Sequence, residues 1–385
     1  MIVGFSTRAI AESAARAGLD VITLDYFGDR DQQALVENTS LLRDHDLPYT
    51  ADGLVEVGRA MRADALVYTA SLENHPQTIV DLSCGRELLG NGPDVLRQVR
   101  DWRVLRTFCT EADIPFAETL LAGEEGRAQE TKRYLRKPVR SGGGHGIDVW
   151  DRSPLDETHM LQGEVHGLPA SAAFVADGVQ SQLIGVTEQL IGRTELGASG
   201  FTWCGNILPV NLHGEQRRVL WERIADMASQ LTRRFGLRGV NGLDVVISEG
   251  EHGGPCPILV EVNPRYTASM ELIEQARDLP IAPLHIEAAQ HGVPGELFVE
   301  PLEAQAGFFG KAIVYAQSGV VIPETSGWTE RGRRDVPHPG ERIEAGHPVC
   351  TVFAEGEERE MCWEGLLDAD RAVRREIGDQ MGGRP

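Results

Sequence analysis

Short apolar runs alternate with stretches of helical spacing from the first residue onward. Met1 to Phe5 reads as a strand, Ala9 to Ala17 as an alanine-rich helix closed by Gly18, and Val21 to Leu24 as a second strand. Strand, helix, strand in quick succession begins an open α/β sheet, whose ligands lie at the carboxyl ends of its strands. Ala65 to Thr69 is a further strand, leading into Ser71-Leu72-Glu73-Asn74, and Leu88 to Asn91 is a strand exit before Gly92-Pro93. Val95 to Ala112 carries one long helical pattern. Tyr134 to Val139 and Ile147 to Trp150 are strands around a glycine-rich loop, and Ser171 to Val175 pairs with Ser181 to Thr187 about the turn Asp177-Gly178. Phe201 to Val210 is extended. Arg217 to Phe235 is a helix, with Leu220, Ile224, Met227 and Leu231 on its core face. Gly239 to Ser248 and Pro257 to Asn263 form a hairpin across a Gly- and Pro-containing turn. Gly307 to Tyr315, Val320 to Ile322 and Thr351 to Ala354 are late strands in a turn-rich setting, and Leu366 to Ile377 is a closing helix before a Gly-Gly-Arg-Pro tail expected to fray.

Two stretches concentrate chemistry. In Pro257 to Glu271, the apolar run Ile258-Leu259-Val260 gives way to Glu261, Asn263 and, after Pro264, Arg265. Glu261 and Asn263 are two apart, so on a strand they leave the same face. Antiparallel pairing of the hairpin sets Asp244 opposite Glu261, giving two carboxylates and an amide oxygen, a donor set suited to Mg²⁺ bridging to phosphate. Arg265 beside them suits phosphate or a developing oxyanion. A strand end whose Glu and Arg form a surface ion pair fits the same residues. In the second stretch Lys137 sits on a strand and Ser141, Gly142, Gly143, Gly144, His145 and Gly146 follow, a loop whose backbone N–H groups can converge on an anion. It is not a G-x-x-x-x-G-K-[ST] loop, and a glycine-rich hairpin tip without a ligand is the plainer reading.

Together these residues resemble the ATP-grasp superfamily: Asp244 on one strand, Glu261-x-Asn263-x-Arg265 at the end of the next, and Lys137 before a glycine-rich hairpin. The resemblance implies a three-part architecture: an open α/β domain over 1–92, a two-lobed ATP-grasp domain over 93–305 with its lobe boundary near 162–167, and a small β-rich subdomain over 306–385. It implies ATP as cofactor, with Mg²⁺ (or Mn²⁺) on Asp244, Glu261 and Asn263, and Arg265 stabilising an acyl phosphate or oxyanion. Lys137 and the loop then hold phosphates, and Met160 to Gly167 is the adenine hinge, with Gln162 and Val165 as nucleotide contacts. Gln162 stands where related enzymes often have Glu. Asp101-Trp102-Arg103 stands where the family commonly has a lysine, so Arg103 is the expected substitute. Ser6, Arg8, Glu73 and Asn74 become substrate candidates, each equally an ordinary residue at a strand end. The implied reaction is ATP-dependent joining of a small-molecule carboxylate to an amine. The layout looks most like the biotin-carboxylase-related group, with pterin- or furan-type cofactor precursors, or glutamate, as substrates. Activation of bicarbonate and non-catalytic ATP binding are the alternatives.

Composition narrows this further. A chain of 385 residues has room for two or three cores. The formal charge of −21, without a long basic run, argues against nucleic acid or an anionic membrane as partner. No charged segment followed by an apolar core opens the chain, so a cytoplasmic protein is expected, and a homodimer is compatible. Six scattered cysteines without a C-x-x-C pair indicate neither zinc nor a disulfide framework. His285, beside Ile281 and Leu284, reads as a core residue or, less simply, a site residue.

Overall fold

The computed structural model describes residues 1–250, 253–297, 299–301 and 307–378. The 305/306 boundary and the 382–385 tail lie outside them. The architecture is mixed α/β. Five parallel strands form the first sheet: β1 (Ile2–Val3), β2 (Ile22–Asp25), β3 (Glu37–Ser40), β4 (Ala65–Tyr68) and β5 (Glu87–Leu88), in the order β3-β2-β1-β4-β5. β3 was not expected: its sequence, ENTS, is polar, as an edge position tolerates. Helices Leu41–His45 and Ala51–Gly58, also unforeseen, start where the side chains of Ser40 and Thr50 accept from the backbone N–H of Arg43 and Gly53.

A four-stranded sheet follows, built from β6 (Thr119–Leu121), β7 (Tyr134–Pro138), β8 (Asp148–Val149) and β9 (His159–Gly163), in the order β6-β9-β7-β8. Residues 164–167 lead from it into the largest sheet. That sheet contains β10 (Leu168–Asp177), β11 (Ser181–Ile191), β12 (Trp203–Leu208), β13 (Arg238–Glu249), β14 (Pro255–Asn263) and β15 (Phe308–Tyr315). A two-stranded ladder, β16 (Val320–Val321) with β17 (Arg342–Ile343), precedes β18 (Pro348–Gly356), which returns to the large sheet. Its order is β14-β13-β10-β11-β12-β15-β18, so the β-rich last segment adds its long strands to the sheet of the preceding part.

Helices cover both faces of this sheet, so an inner strand such as β10 is apolar on both sides. On β10, Ala172, Phe174 and Ala176 enter the core under helix Gly214–Phe235, while Ala173 and Val175 enter the core shared with helices Ser269–Arg277 and Ile281–Gln290. Leu220, Ile224, Met227 and Leu231 of the long helix are at most 3% exposed. Each contributes on the order of 2 kcal/mol by leaving water. The helical pattern over 95–112 resolves into two helices, Pro93–Val99 and Trp102–Glu111, because the Asp101 carboxylate accepts from the N–H of Arg103 and Val104 and starts a new helix. Among the described residues no helix is long and apolar enough to cross a membrane.

Candidate active site

The β13–β14 register sets Asp244 directly opposite Glu261 and Gly242 opposite Asn263, while Val262 between them is buried in the core. Just before Glu261 the ladder slips: Asp244 pairs with Glu261 but Val245 pairs with Leu259, leaving Val260 as an extra residue. Such a bulge re-aims the side chains next to it. Its freed carbonyl accepts from Gln162 Nε2 at 3.2 Å, and Gln162 Oε1 accepts from Lys137 Nζ at 2.9 Å. The bulge thus ties the metal-ligand candidates to the lysine of the smaller sheet.

Asp244 accepts from Asn263 Nδ2 at 2.9 Å and from Gln189 Nε2 at 2.8 Å. Glu261 accepts from Arg100 Nη1 at 2.5 Å, and the same guanidinium reaches the Val262 carbonyl and, through Nε and Nη2, Asn74 Oδ1 at 3.2 and 3.0 Å. Arg265 Nη2 donates to Glu73 Oε1 at 2.9 Å and to Asn263 Oδ1 at 3.3 Å. Two carboxylates therefore face each other, ringed by Lys137, Arg100 and Arg265. The two acids differ. Burial and the repulsion of Glu261 raise the Asp244 carboxyl, whereas for Glu261 burial is outweighed by Arg100 and Lys137, which hold it below its ordinary value. Burial lowers Lys137, against the pull of Glu261 and Asp244.

The donor set fits one cation class. Among the described residues no cluster of three or more His, Cys, Asp or Glu could cage a metal by itself. Two carboxylates and an amide suit an ion that completes its shell with water and phosphate oxygens, as Mg²⁺ does.

The loop Ser141–Gly146 is docked. The Gly143 carbonyl accepts from Trp203 N–H at 3.0 Å, and Gly143, Gly144 and Gly146 hold φ of 66°, 79° and 70°. A Cβ on Gly144 would meet the Phe201 carbonyl oxygen at 1.8 Å. Gly144→Ala is therefore expected to lift the loop off the 201–203 turn, so that trypsin cuts after the exposed Arg140 several-fold faster than in the parent, with an unchanged far-ultraviolet circular dichroism spectrum.

Other expected residues fall elsewhere. Arg8 is a correction: it is 1% exposed and its donors are taken by Glu271, Asp335 and Glu12, so it binds this chain's own carboxylates and has none to offer a substrate. Arg103 is exposed in the first turn of helix Trp102–Glu111, and it is Arg100, at the helix break, that reaches Glu261. Ser6 is exposed beside β1, its carbonyl accepting from Thr69 Oγ1, and Val165 is half-buried between β9 and β10. Glu73 and Asn74 do join the cluster, as the holders of Arg265 and Arg100. His285 is a core residue: Nδ1 accepts from Val240 N–H at 3.0 Å, Nε2 lies 3.1 Å from the Leu89 carbonyl, and burial pushes the ring down to about 4. Sequence reasoning missed Arg100 and Gln189. An Asp preceding a fresh helical turn was the available signal for the first; the second carried none beyond its position late in a strand.

Residues 102–269, which contain Lys137, the glycine loop, Asp244, Glu261, Asn263 and Arg265, match the ATP-grasp domain family. The chain carries an ATP-grasp domain. Beyond that domain, the chain as a whole is 20% identical over 376 residues to an uncharacterized protein of Methanocaldococcus jannaschii, covering 92% of this chain and 87% of that one. Solved structures share its fold, two of them as follows. A biotin carboxylase of Campylobacter jejuni superposes with a TM-score of 0.68 at 14% identity, over 95% of this chain and 91% of that one. An L-amino acid ligase of Bacillus licheniformis gives 0.66 at 14% identity, over 97% and 96%.

Proposed function

We propose that this ATP-grasp chain is an ATP- and Mg²⁺-dependent ligase that activates a small-molecule carboxylate as an acyl phosphate, with release of ADP, and joins it to an amine. The observation that carries the reading is the Asp244–Glu261 pair within a ring of three cations, because facing carboxylates, of which Glu261 is held below its ordinary value by Arg100 and Lys137, make a site for a divalent ion beside groups that bind phosphate. Mg²⁺, bound there, would supply charge neutralisation on the transferring phosphoryl group. Lys137, fixed by the buried Gln162 of β9, and the N–H groups of Ser141–Gly146 hold the polyphosphate in place, and the β9–β10 connection with Val165 flanks the base. Arg100 exchanges its contact with Glu261 for phosphate oxygen. Arg265, fixed by Glu73, stabilises the negative oxygen that forms when the amine nitrogen adds to the acyl carbon, before that oxyanion collapses to the amide with loss of phosphate and of a proton from nitrogen. The L-amino acid ligase fold supports amide formation; cytoplasmic action and a substrate from cofactor synthesis rest on the sequence resemblance.

The test is ADP release from ATP and Mg²⁺, with Mn²⁺ in parallel, over pooled carboxylic acids that include glutamate and pterin and furan acids, with hydroxylamine to trap acyl phosphate. A hydroxamate that depends on one acid is the expected result. Bicarbonate-stimulated ADP release without hydroxamate would replace amide formation by carboxylation, and AMP with pyrophosphate would overturn the mechanism.

A further inference from the structure

Four aromatic rings collect where the first sheet ends. Phe5 follows β1, Tyr26 and Phe27 follow β2, and Tyr49 lies in the loop before helix Ala51–Gly58. Phe5 stacks on Tyr26 at 5.9 Å between centroids with planes 9° apart, and meets Phe27 and Tyr49 edge-on at 4.9 and 4.8 Å. Tyr26 and Tyr49 rest on the apolar core beneath the sheet. Phe5 is 39% exposed. Rings that served only to close the core would turn inward, whereas this group lies at the carboxyl ends of parallel strands, where open α/β sheets take their ligands. Flat rigid side chains there offer contact area at little entropic cost.

The patch is continuous with the site. The Tyr49 hydroxyl lies 3.4 Å from the Ser71 backbone N–H and 3.5 Å from its Oγ, and Ser71 opens the turn Leu72–Asn74 that carries Glu73. Glu73 is 1% exposed. One of its oxygens accepts from Arg265, while Oε2 has no hydrogen-bond partner among the described residues. A buried carboxylate oxygen without a partner, two residues on from the serine that meets Tyr49, calls for a donor, since an unpaired buried acceptor is costly.

We propose that this wall and Glu73 select the amine partner of the ligation, a primary amine bearing an aromatic ring, with the ring on Phe5 and the amino group turned toward Glu73. The inference rests on the ligase reading above and names its acceptor class. The free acid oxygen assigns the ring to the amine rather than to the acid substrate, because a second carboxylate beside Glu73 would be repelled.

The test is a direct titration of the full chain, without ATP, with 2-phenylethylamine, n-butylamine and 3-phenylpropionate, read by saturation-transfer NMR and calorimetry. Phenylethylamine is expected to bind at least about tenfold more tightly than either comparator. Phe5→Leu, which keeps an apolar side chain but removes the ring, is expected to weaken it about three- to tenfold at an unchanged melting temperature, and Tyr49→Phe, which keeps the ring, to leave it nearly as it was. Glu73→Gln is expected to erase the preference for amine over acid; should that variant fail to fold, Phe5→Leu still decides. Equal binding of butylamine, preference for phenylpropionate, or an unaffected Phe5→Leu each overturns the proposal. Ring binding without any hydroxamate in the trapping experiment would remove the ligase reading and leave the ring site standing.

Discussion

Glu261→Gln is expected to lower ATP-dependent ADP release at least about 100-fold, the scale set by removing one preorganised electrostatic group from a transition state. The substitution is nearly isosteric, and the remaining carbonyl oxygen can still accept from Arg100, so the β14 strand end keeps its geometry. What disappears is one of the two negative charges that face each other across the β13–β14 ladder. Folding feels two opposed effects. Arg100 and Lys137 lose a counter-charge, while Asp244 is relieved of the repulsion that raises its carboxyl. The melting temperature is therefore expected to move by only a few degrees while turnover collapses. Steady-state ADP release and a thermal melt on the same preparations check both halves; a variant retaining a tenth or more of parental turnover would remove Glu261 from the chemistry.

Arg8→Met is expected to do the reverse and cost fold stability, about 3–5 kcal/mol, because it leaves buried carboxylates without their counter-ion. Arg8 donates to Asp335 through Nε at 2.9 Å and Nη2 at 3.1 Å, to Glu271 through both terminal nitrogens and to Glu12 at 3.1 Å, with Asp31 3.8 Å away. Lys311 on β15 also reaches Glu271, so that acid keeps a direct ion pair when Arg8 is gone, whereas Asp335 keeps only the longer-range pull of Lys311 and the Thr351 hydroxyl. The loss in melting temperature at neutral pH is expected to be on the order of 10 °C.

Its pH dependence has a definite sign. Burial pushes the Asp335 carboxyl up, but the Arg8 guanidinium wins and holds it at about 2. Glu271 is likewise held below its ordinary value, Arg8 and Lys311 overcoming burial. Carboxyls depressed in the folded state stabilise it above their unfolded pKa and lose that contribution as pH falls toward the folded one. The parent should thus lose stability below about pH 4, while Arg8→Met, whose Asp335 has lost the largest of the groups that depress it, has less to lose. The gap between the two melting temperatures is expected to be widest at pH 7 and to narrow by pH 3.5. A gap independent of pH would mean that Arg8 acts by packing alone.

What was legible in the sequence follows the separation of the partners along the chain. Asp244 and Glu261 lie on adjacent strands of one hairpin, so alternation and a turn signal were enough to set them face to face. Lys137 announced itself through the glycine loop beside it. Arg8 could not be read the same way: its acids lie 263 and 327 residues further on, and a cation at a strand exit looks the same whether a substrate or the chain's own carboxylates will meet it. Arg100 was hidden by apolar spacing that runs unbroken across the 99–102 junction, where only the Asp101 cap divides the helices. β3 escaped because a polar edge strand carries no hydrophobic pattern. The aromatic wall was spelled out residue by residue, but its four members come from three separate loops and meet only when β1 and β2 lie side by side.

The late return of β18 to the large sheet bears on how the chain comes into being. β12 is flanked by β11 on one side and by β15 on the other, and β15 in turn is covered by β18. During synthesis the strands that hold Asp244 and Glu261 leave the ribosome before the two that close the far edge, so a nascent chain stopped after residue 301 presents β12 as an open edge, with the hazard of pairing with another chain. The sheet is finished only when Pro348–Gly356 has been made.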